Sequence, residues 1–379
     1  MAAKDLKPRK IFEIPFTSAA NDEDFYNEVF EPFVAKYKDW IHDIYFTYQT
    51  DVFDNDAMGG NAYSKNKHVI RKMLSIKDKY NISVCPTFNN VFVSPDAWRM
   101  KEFEYLLSRL IAMGIDMIQV PFTHWMMLGE YKARYPEIQF KDTVLQRRYF
   151  AQDLWQQGEA GYDITNVDRN VMRDEDTLKR IKKMKTKFKK KFGRELKVSL
   201  LANETCKGRC NIMDEHYMWN AKSDDNDEGY FNNIISVKSC SLWFQYESDR
   251  LRTSNFIPLR SEYDRYLEYI DVIKLHGRAD LPLFEGSMRI IEDYASGKEF
   301  VGVDGSNFEY LVKQPKLLKQ FLKVTKNCKF ECWDCGLCDI IVEKYDERIK
   351  NGISDTEAEA TTPTASGCEQ VSQNEQNNQ

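Results

Sequence analysis

Ala97-Trp-Arg-Met-Lys-Glu-Phe-Glu-Tyr-Leu-Leu-Ser-Arg-Leu-Ile-Ala-Met113-Gly114-Ile115-Asp116-Met-Ile-Gln-Val120 reads as a helix, a stop and a strand in direct succession. Gly114 ends the helical pattern, and the apolar run Ile115–Val120 follows at once, as a βαβ unit requires. The same rhythm extends outward in both directions. Short apolar runs at Ile11–Phe16, Ile44–Thr47, Ile82–Cys85, Ile115–Val120, Leu196–Leu201, Phe256–Leu259 and Val272–Leu275 are predicted strands. Amphipathic stretches at Glu23–Tyr37, Lys65–Lys79, Ala97–Met113, Glu175–Phe192, Glu262–Tyr269 and Phe284–Ala295 are predicted helices. Strands separated by helices predict an α/β protein with its parallel sheet closed into a (β/α) TIM-like barrel, regular or irregular. An open doubly wound sheet is the alternative, but no G-x-G-x-x-G or Walker-type loop follows any strand. Thr123–Asp163 breaks the rhythm and is expected to be a long, aromatic-rich insertion.

The 379 residues allow one large domain with extensions, or two domains. The expected division is a barrel over 1–300, a cysteine-rich segment over 301–350, and a disordered tail over 351–379, where large apolar residues almost vanish. Fifty-four basic against 59 acidic residues give a net charge of −5, which excludes a uniformly basic nucleic-acid binder. No run approaches the ~18 apolar residues of a membrane span. Met1–Lys10 is polar with no apolar run behind it, so a secretory signal is not expected and the location reads as cytoplasmic.

Nine cysteines are the informative excess. An odd number in a long chain fits reduced thiols better than a disulfide framework. Six sit at close spacings: Cys206-x3-Cys210 and Cys328-x3-Cys332-x2-Cys335-x2-Cys338. Soft sulfur donors at such spacings select zinc or iron–sulfur centres. Cys206 and Cys210 lie just past a predicted strand, at the rim where a (β/α) barrel keeps its active site. Lys207, Gly208 and Arg209 between them supply positive charge that favours thiolate. The alternative is buried, inert thiols. For the C-terminal group, a closed zinc site competes with iron–sulfur ligation. Cys368, in the tail, has no partner nearby.

Leu196 to Cys210 contains Asn203-Glu204-Thr205-Cys206-Lys-Gly-Arg-Cys210 at a strand end; Cys240, Asn255-Phe-Ile-Pro-Leu-Arg260 and Lys274-Leu-His276-Gly277-Arg278 follow in order. This ordered set resembles the collagenase-like peptidase family, peptidase family U thirty-two, over roughly 163–278. Asn211 stands where that family often has Pro, and the family's Arg-Pro-Glu core is rearranged to Pro258-Leu259-Arg260-Ser261-Glu262, which implies a divergent iron–sulfur branch. The resemblance implies a barrel fold and, in place of peptide hydrolysis, an iron–sulfur enzyme that hydroxylates or otherwise modifies a small molecule, peptide or RNA base. It implies one or two 4Fe–4S clusters, with Cys206, Cys210 and Cys240 as three ligands and the fourth from Cys328, Cys332, Cys335 or Cys338. An electron donor would be a partner. Zinc is the alternative metal, in a stapled binding or scaffold protein without catalysis. Cys328-x3-Cys332-x2-Cys335 also has the spacing of radical S-adenosylmethionine enzymes, although no barrel can follow it.

Around these cysteines, five side chains are candidate catalytic groups: Glu204, His216, Lys274, His276 and Arg278. Glu204 is a base or a partner that orients a ligand. His216, with Glu215 beside it, is suited to proton transfer near neutrality, or alternatively bonds backbone at the rim. Lys274, His276 and Arg278 alternate along one strand and so are expected on one inward face, fit for an anionic substrate or for ion pairs with Asp271, Asp280 or Glu285. Lys179–Arg194 carries ten Lys/Arg behind an apolar stripe of Leu178, Ile181, Met184, Phe188 and Phe192. It reads as a solvated outer helix, with an RNA phosphate patch as the alternative.

Overall fold

Eight strands, β1 (Phe12–Pro15), β2 (Ile41–Thr47), β3 (Ser83–Thr87), β4 (Met117–Gln119), β5 (Gln139–Lys141), β6 (Ile164–Val167), β7 (Lys197–Leu201) and β8 (Val272–Lys274), are all parallel in a computed structural model. It describes residues 8–48, 50, 52–53, 66–91, 93–202, 206–221, 251–252, 259–278, 281–301, 314–328, 330–341 and 343. The strand order is β3-β2-β1-β8-β7-β6-β5-β4, so the first and last strands of the chain are neighbours. The two end strands, β3 and β4, also lie side by side, so the sheet curls upon itself and the fold is an irregular (β/α) barrel. The seam lies between β3 and β4. Asp116, just past the Gly114 stop, bridges it: its carboxylate accepts from Ser83 Oγ at 2.9 Å and from the Val84 N–H at 3.3 Å.

Period-two alternation sorts the side chains. Ile44 and Phe46 of β2 join the core under the helices, whereas Tyr45 meets Cys85, Met117 and Ile164 in a small apolar layer of its own. The helix Glu175–Phe192 forms as the sequence dictates. Asp174 caps it by accepting from the Thr177 N–H at 3.0 Å, Leu178, Ile181, Met184 and Phe188 are buried, and Gly193 in the left-handed region ends it. Gly158 of the helix Ala151–Ala160 is held flush against the Phe188 ring, where a Cβ would overlap it. Burying Phe188 there is worth about 1.5–3 kcal/mol.

Two expectations need correction. Thr123–Asp163 is no insertion: it supplies β5 and the helix Ala151–Ala160, two full parts of the barrel. The signal was weak because β5 has three residues, and two of them, Gln139 and Lys141, are polar. Trp125, Met126 and Tyr131 of this stretch are buried in the main core and close the barrel wall. The predicted strand Phe256–Leu259 falls mostly outside the described residues; Leu259 itself makes an isolated antiparallel bridge to Phe300 and joins no barrel strand.

Candidate functional site

β6 ends at Val167, and Asp168 turns the chain into a short 3-10 helix, Arg169–Arg173. Asp168 accepts from the Asn170 N–H at 2.8 Å and from its Nδ2 at 2.7 Å, which fixes the turn. Arg169, 2% exposed, is thereby aimed at the next strand's end. Its Nη1 donates to Cys206 Sγ at 3.1 Å, and its Nη2 donates to the Tyr217 hydroxyl. A guanidinium at that distance favours a thiolate over a thiol. The Cys206–Cys210 turn is tied down again by the Arg209 N–H, which donates to Asn170 Oδ1 at 2.8 Å. The Arg209 guanidinium stacks 4.3 Å from the Tyr149 ring centre. Tyr149 in turn donates to Asp174 at 2.8 Å; burial and that carboxylate push its phenol well above the ordinary tyrosine range.

The second cysteine group packs against the first. Gly208 lies flat on the ring of Phe330, between Cys328 and Cys332, and any Cβ at 208 would overlap that ring. The Gly208 N–H donates to the Arg252 carbonyl at 2.7 Å, and Arg252 Nη2 donates to Asp339, next to Cys338, at 2.6 Å. Arg173 crosses the same junction, stacking 5.1 Å from Phe330 and donating to the Leu251 carbonyl at 2.7 Å. Cys332–Cys335 forms a single helical turn ended by Gly336 in the left-handed region. Burial raises the Cys332 thiol, against the pull of Arg252 and Arg173; Cys328 and Cys335 push it further up. Cys338 behaves differently: it is buried with Leu251, Leu318, Phe321 and Ile341, and this burial pushes its thiol up to about 12. None of the described cysteines forms a disulfide.

Inside the barrel a charged layer lies beneath this mouth. Lys141 Nζ contacts Glu13 at 2.5 Å and Asp43 at 3.2 Å. Lys274 contacts the other oxygen of Glu13 and stands 3.5 Å over the Tyr45 ring. Ser199 donates to Glu13 at 3.2 Å, and His42 meets Asp43 at 2.6 Å. Burial opposes the charge on Asp43, but Lys141 and His42 reverse this and hold the carboxyl well below its usual range. Burial likewise acts against the Lys141 ammonium, but Asp43 and Glu13 carry it well above an ordinary lysine. Lys274 moves the opposite way: burial lowers it, Glu13 opposes, and Lys141 lowers it further.

The predicted site residues therefore divide. Cys206 and Cys210 meet the Cys328–Cys338 group as a neighbourhood, through Gly208 and Phe330. Lys274 and Arg278 do share a locale, since both cations stand over Tyr45, Arg278 at 5.9 Å, and Arg278 donates to Thr87 at 2.8 Å. β8 ends at Lys274, however, and Gly277 at φ 120 bends the chain, so strand alternation does not set His276; the His276 carbonyl accepts from Ser287 at 2.5 Å. The Lys274 partner is Glu13, while Asp271 pairs with Lys185. His216 is half-buried on the helix Met213–Ala221 and stacks on Tyr217; Glu215 is exposed. Glu204, Cys240 and Cys368 lie outside the described residues. Sequence reading missed Arg169, Arg173, Arg252, Glu13, Asp43 and Lys141. The polar run Asn166-Val-Asp168-Arg169-Asn170 behind an apolar start was the available signal for Arg169.

Among the described residues, no three side chains drawn from His, Cys, Asp and Glu stand close enough to hold one metal ion. The donor chemistry nonetheless suits a soft metal: reduced thiols beside buried guanidiniums at a strand's end. No protein-family model matches the chain, and no curated protein matches it in sequence. Among solved structures it is similar to the U32 peptidase Mk0906, at 12% identity and a TM-score of 0.47, covering 72% of this chain and 95% of that one. It is also similar to the YdjI aldolase from Escherichia coli K12, at 10% identity and a TM-score of 0.35, covering 93% and 94%. No described helix is long and apolar enough to cross a membrane.

Proposed function

We propose that the chain is a (β/α)-barrel enzyme whose thiols hold an iron–sulfur centre at the C-terminal mouth of the barrel. The observation that carries this reading is the contact of Gly208 with Phe330, which seats two cysteine groups, remote in sequence, against each other beside Arg169, Arg173 and Arg252. Cys206, Cys210 and Cys240 would be ligands, joined by thiols of the Cys328, Cys332 and Cys335 group. Cys338 is the weakest ligand candidate of that group, because its surroundings are aliphatic and its thiol is raised to about 12. When bound, a 4Fe–4S cluster would supply one-electron chemistry. The chain's own residues have separate tasks. Arg169 orients Cys206, Tyr217 fixes the Arg169 plane, and Arg278 over Tyr45 offers positive charge to an anionic substrate group. The reaction in this reading is modification, by hydroxylation, of a small molecule, peptide or RNA base, with an external electron donor in the cytoplasm.

A second reading has its own support. The close spacing of Cys328, Cys332 and Cys335, the last two on one helical turn ended by Gly336, suits a structural zinc site in a binding protein. Anaerobic purification followed by iron, sulfide and zinc quantification separates the two. A brown protein with iron and acid-labile sulfide in matching amounts supports the enzyme reading. A colourless protein with stoichiometric zinc contradicts it.

A further inference from the structure

The charged layer inside the barrel carries a second chemistry, independent of the cysteines. We propose that Lys274 is a reactive amine at the floor of the barrel mouth, which condenses with a short carbonyl compound bearing an anionic group to form an imine. Three observations converge on it. Lys274 is the last residue of β8 and so stands at the C-terminal end of that strand, the end where (β/α) barrels do their chemistry. It keeps 13% of its side-chain surface open, whereas Lys141 keeps 3% and Glu13 and Asp43 none. It also shares one carboxylate with a second, fully enclosed cation, because Glu13 accepts from Lys274 on one oxygen and from Lys141 on the other.

Such sharing makes the two lysines unequal. Lys141 is clamped between Glu13 and Asp43 and keeps its proton. Lys274 has half a carboxylate and a fixed positive neighbour, the environment that turns a lysine into an amine nucleophile. The groups that face it are Glu13 from β1, Asp43 and Tyr45 from β2, Cys85 from β3, Lys141 from β5, Ser199 from β7, and Arg278 beyond β8. The protons balance within this set. The Lys274 ammonium gives one proton to Glu13, and the freed amine bonds to the carbonyl carbon. The carbonyl oxygen takes the proton back from Glu13, takes a second from the nitrogen, and leaves as water. The iminium keeps the third proton, and Glu13 is again a carboxylate. Arg278, over the same Tyr45 ring, is placed to hold the anionic group of the carbonyl compound.

The test is reductive trapping. Wild-type protein is incubated separately with pyruvate and with glyoxylate, reduced with borohydride, digested and mapped by mass spectrometry. The expected result is a stable adduct on Lys274 ahead of Lys183 and Lys190, which are exposed on the outer helix. Lys274→Arg keeps the charge opposite Glu13 but has no condensing amine; it should fold like wild type by circular dichroism and lose that adduct. Cys206→Ala should keep it, which separates this proposal from the cluster reading. No adduct with either compound, or adducts confined to outer lysines, overturns the proposal.

Discussion

The barrel interior and the thiol-bearing mouth are both built around buried cations, but they are balanced in different ways. Inside, Lys141 and Lys274 face Glu13 and Asp43, so two positive charges meet two negative ones. At the mouth, the contacts of Arg169 and Arg173 include a sulfur, an aromatic ring and a carbonyl. The comparison teaches that the interior sets its cations against carboxylates from other strands, while the mouth brings guanidiniums to thiol sulfur and an aromatic face.

The largest effect should come from breaking the balanced region. Lys141→Met leaves Glu13 and Asp43 facing each other with Lys274 alone, and should cost ~3–5 kcal/mol in urea unfolding. A loss below ~1 kcal/mol would mean that the layer is not held by charge. The next effect is a pH dependence beside that layer. Burial raises Asp142 from 3.8 to about 6, against hydrogen bonds from Thr165 and Asn166. Because its folded value lies above its unfolded one, its contribution is fully present below pH 3.8 and lost as pH rises through about 6. Wild type should lose about 3 kcal/mol relative to Asp142→Asn over that window, read from melting temperatures of both proteins.

The mouth is tested by Gly208→Ala. The added methyl meets Phe330, so the cysteine segment must shift; a stability loss of ~1–3 kcal/mol is expected, with faster amide exchange confined to 314–341. Unchanged exchange there would separate the two cysteine groups. The smallest effect is at the rim, where Arg147 pairs with the 72%-exposed Asp214. Asp214→Ala should change stability by no more than ~1 kcal/mol, less in high salt.

The fold was legible because its strongest elements are locally self-consistent. Glu175–Phe192 carries its own cap, stripe and glycine stop, and Gly114 marks a strand start from sequence alone. β5 was not, since Gln139-Phe-Lys141 makes sense only when Lys141 finds Glu13 and Asp43 from strands more than ninety residues away. The cysteines announced the mouth by spacing, yet their partners did not. Arg169 reaches Cys206 across 37 residues, and Phe330 finds Gly208 across more than a hundred, so no local pattern could pair them. Lys274 was visible as a cation on a strand, but its counter-ion 261 residues upstream was not.

One measurement bears most directly on the claim that both cysteine groups serve a single centre: iron and sulfide content of anaerobically purified Cys206→Ala and Cys335→Ala beside wild type. The account predicts that each single change strips most of the iron while circular dichroism stays that of a folded barrel. Full iron in both variants, or iron lost from only one of them, would contradict it.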